Sequence, residues 1–522
     1  MGDFISEQSC TVVEGTHYTY RINTEGDACI ESCKSACQSV RIPEALGGHP
    51  VAAIGDSAFS MLSRIETVVC PCALRHIGRH AFEGCLKLKN VSLNFGLQSI
   101  GEEAFFLCAS LAGLDVPASV ERFGPRPLGS SRSIQLRTSP SFEIRFDPAS
   151  NRLFFDELGV LYERHADGLV LVDGYRFEGD RLICKDGTVE IGPRALSGMP
   201  DLKHVSLPEG VKRIGDKAFC GSTGLRTVSF PASLEQIGHA AFSCTSLESI
   251  SIPKRCIDID STAFALGTVS GDGTALSYAS HLSAIDVDDE NPVFCMKGGV
   301  LCRRLLSGKL EALLAPALCN HVELGQTIAC VRATAFAGTA HIDKLSIADG
   351  IAFETESGRF SHCEIGAIEL TAGGIGNQTI VLPFPQGPES RSIIAQGTSG
   401  AVFDSHMFLK AYDEVVAALA GSLVQARLVI SRLARPIALS PHMQRRFRML
   451  AEKQLVPLCI AFGQRGEFDQ YDLMADAGIL HANNIADVSN ALAVEGDAQS
   501  IGYLLDLKQR RFGRASWDEY EL

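Results

Sequence analysis

The sequence predicts a mainly β solenoid of stacked coils with a parallel sheet, followed by a C-terminal all-α domain. Two recurring motifs predict the solenoid: a hexamer of the form Ile-Gly-x-x-Ala-Phe, and a segment of the form Leu-x-x-Val-x-Leu-Pro that follows it. Repeats of fixed length are the signature of stacked structural units. From about residue 403 the apolar residues instead follow a helical period, which predicts a different kind of domain there.

The hexamer occurs in three runs, with a step of 23 residues between most neighbouring copies. Its glycine predicts a tight bend, and its phenylalanine is expected to lie inside the coil. The first run has four copies, the second has four, and the third is truncated. The copies are Ile54–Phe59, Ile77–Phe82, Ile100–Phe105, the worn Phe123–Leu128, Ile191–Leu196, Ile214–Phe219, Ile237–Phe242, Ile259–Phe264 and Val331–Phe336.

The second motif predicts one short strand in each coil. Its Val-x-Leu alternation has a period of two, so one face of the strand is buried, and the closing proline cannot donate to the ladder. Stacking one strand per coil produces a parallel sheet, and no coil buries its apolar face alone. Clear copies are Leu202–Pro208, Leu225–Pro231 and Leu247–Pro253.

A longer duplication interrupts the coils. The segment 144–162 is similar to 285–302, and in both cases the next run of hexamers opens 31 residues after a matched valine, Val160 or Val300. The matched spacing predicts a module of four coils plus one hairpin-like insert, used twice, with a third module begun. We expect the inserts to be structural parts of the solenoid.

These motifs resemble the BspA-type leucine-rich repeats of bacteria, in which a Leu-x-x-Ile-x-Leu-Pro segment precedes Ile-Gly-x-x-Ala-Phe and a cysteine. The resemblance covers about residues 18–365. It implies a leucine-rich-repeat solenoid over 46–365 with a stacked parallel β-sheet. It also implies an N-terminal capping segment over 1–45 that shields the open edge of the first coil. Secreted members of the family add the alternative of a cell-surface adhesin or antigen, exported by a non-standard route.

The remaining chain is predicted to contain a linker and a helical domain. Residues 366–402 are rich in Gly and Pro, as connectors commonly are. Residues 403–522 predict about six short helices. Ser440 and Pro441 form a helix start, and the helix that follows Asp497 places Ile501, Leu504, Leu505 and Lys508 on one face. The helix rhythm is weakly similar to degenerate ankyrin-type pairs, and an ordinary helical cap on the solenoid is the equal alternative.

The net charge and the positions of the cysteines limit the partners and the cellular compartment that we expect for the protein. The chain carries 47 Lys and Arg against 61 Asp and Glu, a formal net charge of −14. This balance argues against nucleic acid and anionic membranes as partners. The first residues have no secretory signal pattern. Several of the 18 cysteines recur in phase with the repeat, as Cys85, Cys108, Cys220 and Cys244 show. We interpret them as reduced core thiols of a cytoplasmic protein.

No motif for catalysis or for a cofactor stands out. The sequence has no Walker loop, no His-Glu-x-x-His helix and no complete nucleophile elbow. We therefore predict neither an enzyme nor a bound cofactor. One alternative remains open: five cysteines near the N-terminus have spacings that a metal site permits, so the chain could be a metalloprotein. They are Cys29, Cys33, Cys37, Cys70 and Cys72.

The outward face of the predicted sheet is the remaining candidate site. Its residues are mostly small, neutral and polar, and solenoid proteins generally bind partners on such surfaces. The sequence therefore predicts a protein-interaction scaffold whose partner is another protein. The predicted contact residues are Ser92, Asp115, His204, Ser206, Thr227, Ser229, Ser249, Ser251 and Ser346.

Overall fold

A computed structural model describes most of the chain. The described residues are 9–13, 16–35, 37–124, 143–174, 176–264, 281–332, 334–336, 338–354, 363–371, 379–385, 393–394, 397, 402–419 and 423–513. The chain forms two compact units, Met1–Pro292 and Val293–Leu522. The first unit contains the first and second runs of hexamers, here called the first and second arrays. The second unit contains the truncated third run and the helices.

Each coil contributes two strands, not the one that the sequence predicted. The predicted Val-x-Leu strands form parallel sheets, which we call the serine sheets. In addition, the first residue of each hexamer and the residue before it lie in a short strand, of two residues in most coils, that pairs in parallel with its copies in neighbouring coils. We call these second sheets the hexamer sheets. The prediction was wrong here because two residues are too few to show a period of two.

In the first array the hexamer sheet begins with the N-terminal strands, which pair in antiparallel fashion before the parallel stack begins. Its order is β1 (Ser9–Val13), β2 (Thr16–Ile22), β3 (Ala28–Ser35), β6 (His49–Ile54), β8 (His76–Ile77), β10 (Ser99–Ile100) and β12 (Arg122–Phe123), with β5 (Ala45–Leu46) paired to β6. The serine sheets are β4 (Ser39–Arg41), β7 (Thr67–Val69) and β9 (Asn90–Ser92), and β11 (Gly113–Val116) with β13 (Glu143–Phe146).

The second array repeats this plan, with the insert at the start of its hexamer sheet. The sheet order is β14 (Leu153–Phe155), β15 (Leu161–His165), β16 (Gly168–Asp173), β18 (Thr188–Ile191), β20 (Arg213–Ile214), β22 (Gln236–Ile237) and β24 (Asp258–Ile259). The serine sheets are β17 (Arg181–Ile183), β19 (His204–Ser206) and β21 (Thr227–Ser229), and β23 (Ser249–Ile252) with β25 (Ala284–Val287).

The hexamer glycine is needed for close approach and not for a left-handed bend. A Cβ on Gly101 would lie 2.6 Å from the backbone nitrogen of Arg79, and one on Gly215 would lie 2.7 Å from that of Pro193. Such distances exclude a side chain. The left-handed residue is the fourth of the hexamer, which is not glycine: His80 has φ 54° and Lys217 has φ 55°. The sequence prediction of a glycine bend thus assigned the wrong cause.

The phenylalanines form the predicted core. Phe59, Phe82 and Phe105 are buried, and their ring centroids stack 5.1 and 5.3 Å apart. Phe219 and Phe242 stack at 5.0 Å in the second array. Stacked aromatic rings add to the stability that burial alone provides. Each phenylalanine ring therefore stacks on the ring of the next coil, and the rings of an array form one continuous column.

Cys85 and Cys108 are buried free thiols, as the repeat predicted. The Cys85 thiol donates to the Phe59 carbonyl oxygen at 3.2 Å. Cys220 and Cys244 are only half-buried, so their prediction as core residues was wrong. They fall one and two residues after their phenylalanine, whereas the buried position is the third. In that position Ser222 donates to the Leu196 carbonyl oxygen at 2.6 Å.

The second unit starts with an insert of the same topology as the first. Three antiparallel strands lead into the parallel hexamer sheet, in the order β26 (Phe294–Lys297), β27 (Val300–Arg304), β28 (Leu310–Leu314), β30 (Ile328–Val331) and β32 (Ala352–Phe353). Another sheet has the order β29 (Leu318–Leu324), β31 (His341–Ala348), β33 (Glu364–Thr371) and β34 (Thr379–Pro383). The last two strands lie in or at the edge of the predicted linker, 366–402.

Seven α-helices follow in the described part of the second unit. They are α1 (Ser405–Ala418), α2 (Leu423–Ala434), α3 (Pro441–Lys453), α4 (Leu455–Gln464), α5 (Asp469–Asp476), α6 (Ile485–Val494) and α7 (Ala498–Phe512). None of the described helices has the length and apolarity needed to cross a bilayer. The ankyrin-like character of these helices stays a prediction.

Capping residues start two of the helices as the sequence predicted. The side chains of Ser440 and Asp497 accept from the backbone nitrogens three residues on, at 3.2 and 3.0 Å. Of the residues that the sequence placed on one face of α7, Leu504 is buried and Leu505 is 54% exposed. The helix turns its 500, 504 and 507 positions inward instead.

The helices share one core with the coils of their unit. A single apolar cluster extends from Val300 through Ile368 and Phe408 to Leu507. A buried ion pair lies within it: Arg432 donates to both carboxylate oxygens of Asp413, at 2.7 and 3.2 Å. Breaking such a pair leaves a buried charge unpaired. The helices and the last coils are therefore joined by packing as well as by the chain.

Candidate partner-binding surfaces

Four of the predicted contact residues form a compact patch on the second array. Ser206 lies beside Ser229, and His204 lies beside Thr227, in the register of β19 and β21. The imidazole Nδ1 of His204 is 2.8 Å from the Thr227 hydroxyl. Ser206, Thr227 and Ser229 are exposed, and His204 is half-buried. This part of the serine sheet is open and polar, as predicted.

Ser249 and Ser251 are also exposed on the second array. They lie in β23, which pairs with β25, and the Ser251 hydroxyl donates to the Asp286 carboxylate at 3.3 Å. An acidic side chain thus borders this part of the face. The surface is less neutral than the small residues alone suggested.

On the first array Ser92 and Asp115 are exposed at the positions that the sequence predicted. The Asp115 carboxylate accepts from the Arg145 guanidinium at 2.6 Å. This hydrogen bond lowers the pKa of Asp115, with the positive charge of Arg145 adding to the effect. The first serine face therefore ends in a paired charge.

Ser346 does not lie on an open face. It is 7% exposed, and its hydroxyl donates to the Glu369 carboxylate at 2.5 Å. Its strand, β31, lies between β29 and β33, and Lys344 pairs with the same carboxylate at 2.9 Å. Its predicted exposure was wrong because it lies beside the long Glu369 side chain, although Leu345 and Ile347 keep the predicted alternation. Whether the other predicted residues bind a partner stays a prediction.

The N-terminal cysteines do not gather into a metal site. Within the described ranges, no group of three or more His, Cys, Asp or Glu side chains is arranged to hold a metal ion. Cys72 is exposed, whereas burial raises the pKa of Cys29 to about 11 and that of Cys70 to about 12. A thiol must lose its proton to bind a metal, so burial opposes binding at these two residues.

The structure shows a surface that the sequence did not predict, a groove on the hexamer sheet of the first array. Its volume is about 1020 Å³. Along its floor Ala53, His76 and Ser99 follow one another in register, one from each coil, and Arg122 continues this row at the rim. The hexamer glycines of the same coils line it as well. Small side chains and glycines leave the floor low, so a ligand could approach the backbone.

Charged side chains form the rim of the groove. Arg75 pairs with Asp27 at 3.3 Å, and Arg79 pairs with Asp56 at 3.5 Å. Arg122 also lines the groove and is exposed. Interfaces between proteins commonly have a polar rim of this kind.

His76 occupies the centre of the floor. Its Nδ1 is 2.9 Å from the Ser99 hydroxyl. Burial lowers the pKa of His76, and the positive charges of Arg122 and Arg75 lower it further. These effects favour the neutral imidazole, and with Nδ1 bonded to Ser99 the ring keeps Nε2 for a ligand.

The same positions on the second array carry a different set of side chains. Glu190, Arg213, Gln236 and Asp258 follow one another in register. Arg213 donates to Glu190 at 3.0 Å, and Gln236 donates to Asp258 at 2.9 Å. These long side chains therefore form hydrogen bonds with one another across neighbouring strands. In both arrays these side chains belong to the residue directly before the hexamer. The repeat motif does not specify this residue, so its identity in each copy is the sequence feature that could have indicated the two surfaces.

Comparison with known proteins agrees with the repeat motifs. The family described as BspA type leucine rich repeat region matches residues 9–142 and 181–270, in six copies. No curated protein matches the sequence significantly.

Solved structures of bacterial leucine-rich repeat proteins are also similar. A leucine rich cell surface protein of Faecalibacterium prausnitzii is 19% identical, covering 54% of this chain and 96% of its own, with a TM-score of 0.32. The pneumococcal vaccine antigen PcpA is 17% identical, covering 56% and 92%, with a TM-score of 0.38. A leucine rich repeat protein of T. pallidum is 24% identical, covering 44% and 86%, with a TM-score of 0.25. The family model identifies residues 9–142 and 181–270 of the chain as similar to BspA-type leucine-rich repeats.

Proposed function

We propose that the chain is a non-catalytic scaffold that binds another protein in the groove of the first array. The observation that carries this proposal is the low floor formed by Ala53, His76, Ser99 and the hexamer glycines, with charged residues at the rim. His76 and Ser99 bond to each other and are shorter than their counterparts in the second array, Arg213 and Gln236, which form hydrogen bonds with Glu190 and Asp258.

The serine sheets are a second contact surface in this proposal. Small exposed hydroxyls such as Ser206 and Ser229 permit close contact without a large entropic cost, because they have few rotamers to lose. They add area to an interface. The groove supplies the central contacts of that interface, and the quality of such contacts sets affinity more than area does.

Filling the groove tests the proposal. Ser99→Trp places a large ring on the floor, and Gln236→Trp makes the matched change at the equivalent exposed position of the second array. We expect wild-type protein and Gln236→Trp to capture the same partner from the native lysate, identified by mass spectrometry, and Ser99→Trp to lose it. Equal melting temperatures would show that all three proteins are folded. A partner retained by Ser99→Trp would reject the groove as the binding site.

We propose further that the protein is cytoplasmic. The support is chemical: buried free thiols such as Cys85, Cys108 and Cys459 are typical of a reducing compartment. Alkylation of native cells before lysis, followed by denaturing titration, should find nearly all 18 cysteines as thiols. Extensive disulfides, together with recovery in the cell-surface fraction, would favour a surface antigen instead.

A further inference from the structure

Helix α3 carries an unbalanced basic face on an acidic chain. Its residues include Arg445, Arg446, Arg448 and Lys453 against the single acid Glu452, while the whole chain has a formal net charge of −14. All four basic side chains are exposed. A local charge opposite in sign to that of the whole chain is not needed for solubility.

The arginines of the other helices are mostly paired with acids. Arg432 pairs with Asp413 at 2.7 Å, and Arg511 pairs with Asp476 at 2.9 Å. On α3, by contrast, none of the four basic side chains forms an ion pair with a carboxylate in the described part of the chain. Arg445 donates only to the carbonyl oxygen of Pro441 in its own helix, at 3.3 Å. The fold therefore leaves these charges unbalanced.

An exposed apolar side chain lies among these charges. Met449 is 68% exposed. A residue advances by about 100° around a helix, which places Met449 within about 60° of Arg445, Arg446 and Lys453. The opposite face packs inward through Phe447 and Ala451. A single apolar group surrounded by cations is suited to a partner that presents an apolar side chain among carboxylates.

We propose that this face of α3 binds an acidic peptide segment of another protein, with an apolar side chain of the peptide against Met449. This interaction surface is separate from the groove and does not depend on it. Nucleic acid and anionic membranes fit less well. They are extended polyanions that the chain's charge of −14 repels, whereas a short peptide contacts only the local face.

The test uses the full chain and a fluorescent synthetic peptide of glutamates around a central leucine. We expect binding by anisotropy that weakens as salt rises, because exposed charges are screened. Arg445→Glu with Lys453→Glu should weaken binding by roughly tenfold or more, since each reversal replaces an attraction by a repulsion. Met449→Ser should weaken it by roughly tenfold, through lost apolar burial.

Two controls test whether binding depends on the charges of α3 and of the peptide. Lys410→Glu makes the same charge reversal at an exposed position of α1 and should leave affinity unchanged. A peptide with glutamine in place of glutamate should not bind. Equal binding of that peptide, or an equal loss with Lys410→Glu, would overturn the proposal. So would duplex DNA or phosphatidylserine vesicles that bind more tightly than the peptide through Arg445 and Lys453. Unchanged helical circular dichroism shows that the variants are folded.

Discussion

The first and second arrays have the same inward residues and different outward ones. Both stack phenylalanine rings about 5 Å apart, at 5.1 Å for Phe59 and Phe82 and at 5.0 Å for Phe219 and Phe242. Outward on the hexamer sheet, His76 and Ser99 line a groove, whereas Arg213 and Glu190 form an ion pair. The two arrays therefore share the inward contacts that stack the coils and differ in the side chains that they expose.

The third run shows what happens when the module is not completed. Its coils and the helices share one apolar cluster, from Val300 to Leu507. A chain that ends after residue 385 would expose buried residues such as Ile368 and Leu382. We expect this truncated protein to aggregate, because the removed helices cover the core. Light scattering and ultracentrifugation measure this, and a soluble monomer with cooperative melting would show instead that the helices form an independent domain.

Removing a stacked phenylalanine should destabilise the two arrays equally. Phe82→Ala and Phe242→Ala each remove a buried ring that stacks on both neighbours. We expect each to lower the free energy of unfolding by about 3 to 5 kcal/mol. Urea unfolding followed by circular dichroism measures the loss. A loss in one array that is less than half of that in the other would show that the two cores are not equivalent.

The glycine contacts predict a smaller and again shared effect. Gly101→Ala and Gly215→Ala each place a methyl group within 2.7 Å of backbone nitrogen in the preceding coil. We expect a loss of about 1 to 3 kcal/mol in each case, because the backbone must shift. Gly502→Ala is the control, since nothing lies within 4 Å of its Cβ position inside α7. It should be neutral or stabilising by up to about 1 kcal/mol.

The third position after the phenylalanine offers a direct exchange between arrays. Cys85 in the first array and Ser222 in the second donate to equivalent carbonyl oxygens, of Phe59 and Leu196. Because either side chain keeps this hydrogen bond, Cys85→Ser and Ser222→Cys should each cost about 1 kcal/mol or less. Ser222→Ala should cost about 1 to 3 kcal/mol, since it leaves buried polar groups unpaired. Thermal unfolding of the three variants tests this order.

Sequence alone predicts the buried residues of the coils and the start of a helix well. The period of the hexamer placed Phe82 and Phe219 in the core, and the cap at Ser440 started a helix where expected. These features follow from repetition and local hydrogen bonding, which a single chain displays. The hexamer sheet was missed because most of its strands at the hexamers contain only two residues. The groove was missed because it depends on which side chains become neighbours across coils 23 residues apart.

Arg122 and Arg213 are both exposed and each directly precedes the first residue of a hexamer, the fourth hexamer of the first array and the second hexamer of the second array. Arg122 lines the groove, whereas Arg213 pairs with Glu190 at 3.0 Å. Exposed ion pairs contribute little, so Arg122→Gln and Arg213→Gln should each change the free energy of unfolding by no more than about 0.5 to 1 kcal/mol.

Their effects on binding should differ. Arg122→Gln removes a charge from the rim of the groove, so capture of the partner should weaken by several-fold, mainly at low salt where steering by charge is strongest. Arg213→Gln should leave capture unchanged. Surface plasmon resonance with the captured partner, at two salt concentrations, separates the two results. If both variants bind equally well, the exposed side chains of the two hexamer sheets are equivalent in function. The difference between these side chains is then not used for recognition.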